Sequence, residues 1–457
     1  MQTFTPTDFA LMKQNFTSGN LSSYDYRKKQ LLLLKQTIQQ FEPEILEALF
    51  KDLHKSEEEA YTTEIGFLYA EINHTLKHLK EWMQPQKVDT PFFLFPSKSK
   101  IIRDPLGVVL IIAPWNYPFQ LLIAPLIGAI AGGNCAVLKP SELTPHTAQV
   151  VSKMISSSFH PSYIKVVEGE GGIVVPQLMN ENHFDHVFFT GSIPVGKEVA
   201  KLAAAKLIPV TLELGGKSPC IVDEDANIGI AARRIVWGKF TNAGQTCVAP
   251  DYVLVHEKKK EPLIAEMKKA IRQFYGNDAQ LSPDYGRIIN KRRFEKLTTF
   301  LAQGEVVEGG KTEEADLFIS PTILLNPTMD SPIMKEEIFG PILPVIDYKN
   351  DGEALAWIER NPKPLALYYF GKKNIDKYTN GVAFGGGCIN NTLVHLGNTA
   401  LPFGGVGSSG MGTYHGSYSF KTFTRPKSIL QTANWLDPSI KYPPYKGKLK
   451  FIKWFLK

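Results

Sequence analysis

From Gly107 onward, short apolar runs alternate with longer stretches of helical periodicity. This alternation restricts the fold more than any other feature of the chain. Val108-Val109-Leu110-Ile111-Ile112-Ala113 reads as a buried strand. A helical stretch leads to Gly132, and Cys135-Ala136-Val137-Leu138-Lys139-Pro140 forms the next strand. A helix over about 145–158, a strand over 164–168, another helix, the strand His186-Val187-Phe188-Phe189-Thr190 and a helix over 195–205 continue the series. Strands without a polar face must be covered on both sides, so the pattern predicts βαβ units in a doubly wound parallel sheet. Ligands of such sheets bind at the carboxyl ends of the strands. Residues 215–392 alternate again, with strands at 220–222, 252–255 and 343–346 and helices at 228–240, 262–275 and 291–303. They predict a second α/β domain.

Before Gly107 the chain reads differently. Leu31-Leu32-Leu33-Leu34, Ile38, Phe41, Ile45, Leu46 and Leu49 follow a helical repeat, with Pro43 expected to break it. Ser56 followed by Glu57, Glu58 and Glu59 opens a second helix with a cap and an acidic first turn. These helices are expected to pack and to carry no chemistry. Residues 85–105 read as a loop, with Phe92-Phe93-Leu94-Phe95-Pro96 as an apolar arm or hairpin docking on another part of the chain.

The 457 residues allow two or three domains. The net charge of +6 is spread over scattered lysines, which excludes a nucleic-acid groove. Cys135, Cys220, Cys247 and Cys388 form no CxxC and no Cys/His cluster, so neither a disulfide framework nor a metal site is expected. A reducing, cytoplasmic setting fits. The first residues lack a basic start followed by an apolar core, and the apolar stretches 106–115 and 121–130 are too short or Pro-broken to span a bilayer. The tail mixes Lys446, Lys448, Lys450 and Lys453 with Leu449, Phe451, Ile452 and Trp454. It can dock on the protein or make weak contact with a membrane surface.

Two segments carry nucleophile and base chemistry. Phe240-Thr241-Asn242-Ala243-Gly244-Gln245-Thr246-Cys247-Val248-Ala249-Pro250 sets one cysteine among small residues, where a carbonyl could approach a thiolate. A lone cysteine is more often an inert core residue. Leu212-Glu213-Leu214-Gly215-Gly216-Lys217-Ser218-Pro219 changes that reading. Glu213 ends an apolar run before a glycine pair, a setting that raises a carboxyl pKa and suits a general base.

Other motifs leave two readings open. Gly191, Ser192 and Gly196 follow a strand and open a helix, able to hold a pyrophosphate or simply to turn the chain; their spacing is not GxGxxG. Lys139 and Glu142 stand at a strand's carboxyl end, at a ribose or on a plain surface. Asn116 lies in a Pro-bounded loop with Trp115. Glu337 and Phe339 precede a Gly-Pro turn. Residues 402–412 are too glycine-rich for a helix and predict close backbone approach.

The cysteine segment 240–249 and the glutamate segment 212–219, in this order and separation, resemble the aldehyde dehydrogenase superfamily. Residues 402–416 and Tyr442-Pro443-Pro444-Tyr445 look like its class 3 branch, which acts on fatty and aromatic aldehydes. The resemblance implies a dinucleotide-binding domain over 1–85 and 106–214 and a catalytic domain over 215–392. It also implies a small oligomerisation arm with the tail over 86–105 and 393–457, in a homodimer. It implies NAD or NADP, with NAD slightly favoured, held by Lys139, Glu142, Gly191, Ser192, Gly196, Glu337 and Phe339. Cys247 would form a thiohemiacetal and then a thioacyl-enzyme. Asn116 and the Cys247 amide would hold the oxyanion, and Glu213 would activate water. His415 reads as structural, and Cys388 is the rival nucleophile. Three alternatives are a coenzyme-A-acylating dehydrogenase, a cofactor-independent thiol esterase and a non-enzymatic protein on this fold.

Overall fold

The computed structural model describes residues 4–456. Val108–Ile112 is fully buried and sits inside a six-stranded sheet. From one edge to the other the sheet runs Gly410–Met411, Val210–Glu213, His186–Thr190, Val108–Ile112, Cys135–Lys139 and Ile164–Val166. The first strand is antiparallel and the other five are parallel. The chain enters at Val108–Ile112, winds to one edge, then returns to build the other side. Ile112 and Thr190 therefore end adjacent strands at the reversal point, where a crevice opens.

A seven-stranded sheet follows, in the order Glu305–Glu308, Thr322–Leu325, Ile342–Tyr348, Tyr252–His256, Pro219–Val222, Ala366–Phe370 and Gly386–Ile389. Only the first of these is antiparallel to its neighbour. Both sheets are the α/β architecture expected. The strands Glu305–Glu308, Thr322–Leu325, Ala366–Phe370 and Gly386–Ile389 are additions to that expectation.

Three local expectations change. Pro43 does not break its helix, which runs unbroken over Tyr24–Leu53. Pro43 and Gln39 face solvent, so the carbonyl that loses its partner can meet water, while Phe41, Ile45 and Leu49 stay buried. Residues 85–105 are not a loop. Gln86–Val88 pairs with Ser97–Pro105, which pairs along its whole length with Thr424–Thr432. That partner lies 335 residues on at the Ser97–Thr432 end, beyond the reach of local pattern. The 393–457 segment is split. Gly410–Met411 joins the first sheet, and Phe423, after the helix Ser417–Thr422, packs against Gly128. Thr424–Thr432 forms the arm.

The cap at Ser56 is present, its hydroxyl accepting the Glu59 N–H at 3.3 Å. The helix it opens contains a π turn over Tyr61–Ile65 before continuing as Gly66–Trp82. Among the described residues no helix is long and apolar enough to cross a membrane, and no cluster of three or more His, Cys, Asp or Glu could hold a metal ion.

Candidate active site

The helix Ile228–Phe240 delivers the chain to a tight reversal. Asn242, Ala243 and Gly244 take positive φ values of 54°, 50° and 73°. For Asn and Ala this left-handed region is strained and must be held by surrounding bonds. The Glu59 carboxylate accepts the Asn242 N–H at 2.8 Å, and the Asn242 amide donates to the Asn116 carbonyl at 2.8 Å. The result is a segment in which every residue from 240 to 250 is buried except Cys247.

Cys247 borders a cavity of about 230 Å³. Burial, together with the Glu337 and Glu213 carboxyls, pushes its thiol up to about 12, against weaker help from the Cys247 and Val248 N–H groups. Glu213 ends the strand Val210–Glu213 and lines the same cavity. It is 2% exposed, and neither carboxyl oxygen has a hydrogen-bond partner. Burial pushes its pKa well above the ordinary carboxylate range.

Asn116 follows the strand Val108–Ile112, and its amide donates to the Gln245 carbonyl at 3.0 Å. Its neighbour Tyr117 shares a 2.6 Å hydrogen bond with Thr246. The loop at the sheet's reversal point is thus tied directly to the cysteine segment.

The remaining expected residues fall around the sheet's carboxyl edge. Lys139 donates to Glu142 at 2.6 Å, and the other Glu142 oxygen accepts the Gly171 N–H at 3.0 Å. Burial raises the Glu142 pKa, but these two contacts outweigh it and hold the carboxyl below its usual range. Ser192 precedes the helix Ile193–Ala204, whose first turn has no side-chain cap. Gly191 stands beside it. Gly196 is placed differently: a Cβ there would lie 2.6 Å from Leu214, so this glycine allows helix and strand to pack closely.

Glu337 rests on the glycine pair. A Cβ at Gly215 would lie 2.1 Å from a Glu337 oxygen. Burial, then the charge of Asp251, raises Glu337 to about 8, and the Gly216 N–H partly offsets this. Phe339 stacks edge-on against Trp115, ring centres 5.3 Å apart. The loop carrying both is held from either side of Glu337. Lys217 donates to the Glu336 carbonyl at 3.0 Å, and Asp251 accepts the Ile338 N–H at 3.0 Å.

Cys388 lies apart from this cavity wall, its sulfur 3.4 Å from His395 Nδ1. Cys135 and Cys220 are buried. His415 is 2% exposed and stacks on Phe403, and it also lines the cavity.

The sequence reading missed two groups. Tyr117, Gln120 and Thr246 supply polar edges to the cavity. Thr62, Thr63 and Phe67 line it from the N-terminal helices, which were expected to be packing alone. The acidic run before them was the available signal, because one of its members, Glu59, faces inward.

This arrangement places a thiol and an unpartnered carboxyl on one cavity, beside a doubly wound sheet. The aldehyde dehydrogenase family model matches residues 9–429. The chain belongs to the aldehyde dehydrogenase family. It is 53% identical over 449 residues to 4,4'-diaponeurosporen-aldehyde dehydrogenase of Staphylococcus aureus (strain NCTC 8325 / PS 47), covering 97% of each chain. Relatives at 42% identity from Dictyostelium discoideum and Rattus norvegicus are named as aldehyde dehydrogenase family 3. A substrate-bound structure of Staphylococcus aureus AldH superposes with a TM-score of 0.97, at 51% identity and 100% coverage of both chains. Betaine aldehyde dehydrogenase of Staphylococcus aureus in complex with NAD+ gives a TM-score of 0.81 at 27% identity, covering 94% of this chain and 89% of the other. This aldehyde dehydrogenase is an oxidoreductase that uses NAD or NADP.

Proposed function

We propose that the enzyme oxidises uncharged, apolar aldehydes, aliphatic or aromatic, to carboxylic acids through a thioester on Cys247. The observation that carries this reading is the shared cavity. Cys247 and Glu213 face it together, and among the described residues no Lys, Arg or Asp lines it. Its walls include Phe67, Leu121, Trp237, Leu393 and Phe403. Such walls favour an apolar body and give an anionic one no cationic partner.

Cys247 attacks the carbonyl carbon through Sγ as the thiolate, its proton passing to solvent through the cavity. Asn116 Nδ2 and the Cys247 N–H stabilise the oxygen as it becomes negative. Loss of hydride from that carbon leaves the thioester. Glu213, held by no other group, then in its ionised form takes a proton from water, and the water oxygen displaces Cys247 Sγ to release the acid.

The carboxyl edge of the sheet fits a dinucleotide. Gly191 and Ser192 stand at an uncapped helix start, where free N–H groups suit a pyrophosphate. Glu142 suits a ribose hydroxyl, and Glu337 with Phe339 suits the nicotinamide end. A bound nicotinamide would supply the hydride acceptor for the carbon attacked by Cys247. NAD is favoured because Lys139 is already engaged by Glu142. Glu142→Gln is expected to raise the NADP/NAD ratio of kcat/KM roughly fivefold, the scale of one partly exposed charge contact. An unchanged ratio would remove Glu142 from the ribose site.

The homodimer and the cytoplasmic location remain part of this reading. So does the tail, whose residues Phe451 and Ile452 share a groove with Phe93, Phe95 and Leu430 of the arm. That groove supports docking on the protein, with the lysines left for weak membrane contact.

The test is absorbance of reduced nicotinamide with a panel of apolar and charged aldehydes, NAD and NADP separately, and no coenzyme A. The expected outcome is growth of signal with apolar aldehydes ahead of charged ones. Signal only after coenzyme A is added would replace hydrolysis with acyl transfer.

A further inference from the structure

The chain buries a complete ion pair that does not line the Cys247 cavity. Lys55 and Glu64 have fully buried side chains and bond each other directly. Buried pairs are seldom a net source of stability, because desolvating two charges offsets their attraction. What distinguishes this pair is where its remaining bonds go.

Lys55 Nζ donates to the Asn116 carbonyl at 3.0 Å and lies 4.0 Å from the centre of the Tyr117 ring. The second Glu64 oxygen accepts the N–H groups of Phe119 at 2.9 Å and Gln120 at 3.1 Å. The short segment 116–120 is therefore gripped at both ends by one pair. The same Asn116 carbonyl accepts from Asn242, and the Asn116 amide reaches Gln245. Two stretches far apart in sequence, at Lys55 and at Asn242–Gln245, converge on Asn116.

Local structure explains how the pair reaches this point. The helix Tyr24–Leu53 ends at His54 in the left-handed conformation, which turns the chain just before Lys55. Glu64 lies in the π turn Tyr61–Ile65, whose wider winding changes the direction in which its residues project.

We propose that the Lys55–Glu64 pair is a positioning device for the Asn116 loop. It fixes the direction of the Asn116 amide toward the oxygen that gains charge during attack by Cys247. The pair touches no reacting atom and acts through Asn116, so this inference rests on the oxyanion role proposed above for that residue.

A double-mutant cycle on the full-length enzyme tests it, with kcat, the KM for aldehyde and the dissociation constant for NAD as readouts. Asn116→Ala is expected to lower kcat by about 100- to 1000-fold, as removal of an oxyanion donor does elsewhere. Lys55→Met/Glu64→Gln removes both charges of the pair and keeps an acceptor for the Phe119 and Gln120 N–H groups. It is expected to lower kcat by about 10- to 100-fold through misplacement of the loop. Its NAD dissociation constant should stay within about twofold of wild type, which also reports that the fold is intact. On the Asn116→Ala background the same pair of changes should remove less than about threefold more.

A wild-type kcat for Lys55→Met/Glu64→Gln would overturn the positioning role. So would losses that multiply fully on the Asn116→Ala background. Loss of NAD binding together with kcat would mark the pair as a general fold element and overturn it as well. A wild-type rate for Asn116→Ala would instead remove the oxyanion reading and the proposal built on it.

Discussion

Cys247→Ala is expected to abolish formation of reduced nicotinamide, lowering kcat by about 10⁵-fold or more, the scale on which loss of a covalent nucleophile is felt. Binding of NAD should persist, since the proposed cofactor contacts lie along the sheet's carboxyl edge. Removal of one sulfur from a site that already opens to a cavity leaves little new void. Cys388→Ala should retain turnover within about twofold, as substitutions away from a reactive site do. Its sulfur sits beside His395, away from the cavity wall that carries Glu213. Steady-state assays of both variants, with NAD titration, check the assignment. A dead Cys388 variant beside an active Cys247 variant would move the nucleophile to the Cys388–His395 pair.

A pH consequence accompanies this. Without cofactor the Cys247 thiol is pushed up to about 12 by burial and the Glu337 and Glu213 carboxyls. At neutral pH only a trace is thiolate. Alkylation of Cys247 by iodoacetamide should then accelerate about tenfold per pH unit across the neutral range. A plateau near neutrality would show a thiol already ionised.

Glu213→Gln should leave the first turnover nearly intact and slow the steady state about 100-fold or more, because the amide cannot take a proton from water. The expected trace is a burst of reduced nicotinamide equal to the active sites, then a slow phase. Equal burst and steady-state rates would remove Glu213 as the hydrolytic base.

The same substitution has a stability signature of defined sign. Burial pushes the folded-state Glu213 pKa above its unfolded value of 4.5. The folded protein keeps a proton that the unfolded chain loses, so this contribution is full below the unfolded pKa and falls as pH rises toward the folded value. Glu213→Gln lacks that titration. It should unfold at the wild-type temperature near about pH 4 and higher than wild type near about pH 8. The gain is on the order of 1–2 kcal/mol, the scale of a buried polar group lacking a partner. Thermal melts at both values decide it, and a gap that narrows with rising pH would contradict the raised carboxyl.

Much of this protein was legible in local chemistry. Apolar runs without a polar face can only be covered strands, so 108–112, 135–139 and 186–190 announced a parallel sheet. Ser56 before three glutamates marked a helix start, and its cap is formed. Cys247 and Glu213 stood out because small or apolar neighbours give a reactive side chain space or desolvation. Each of these signals is carried within a few residues.

What the tertiary structure decided lies beyond that range. Pro43 stays helical because solvent can satisfy the carbonyl it strands. Ser97–Pro105 becomes a strand only because Thr424–Thr432 supplies its partner. Gly215 is needed because Glu337 packs on it, and Gly196 because Leu214 does. The positive φ of Asn242 is held by Glu59, and the Asn116 loop by Lys55 and Glu64. No pattern of propensity encodes these, since each depends on hydrogen bonds and burial between residues that meet only after the chain has folded.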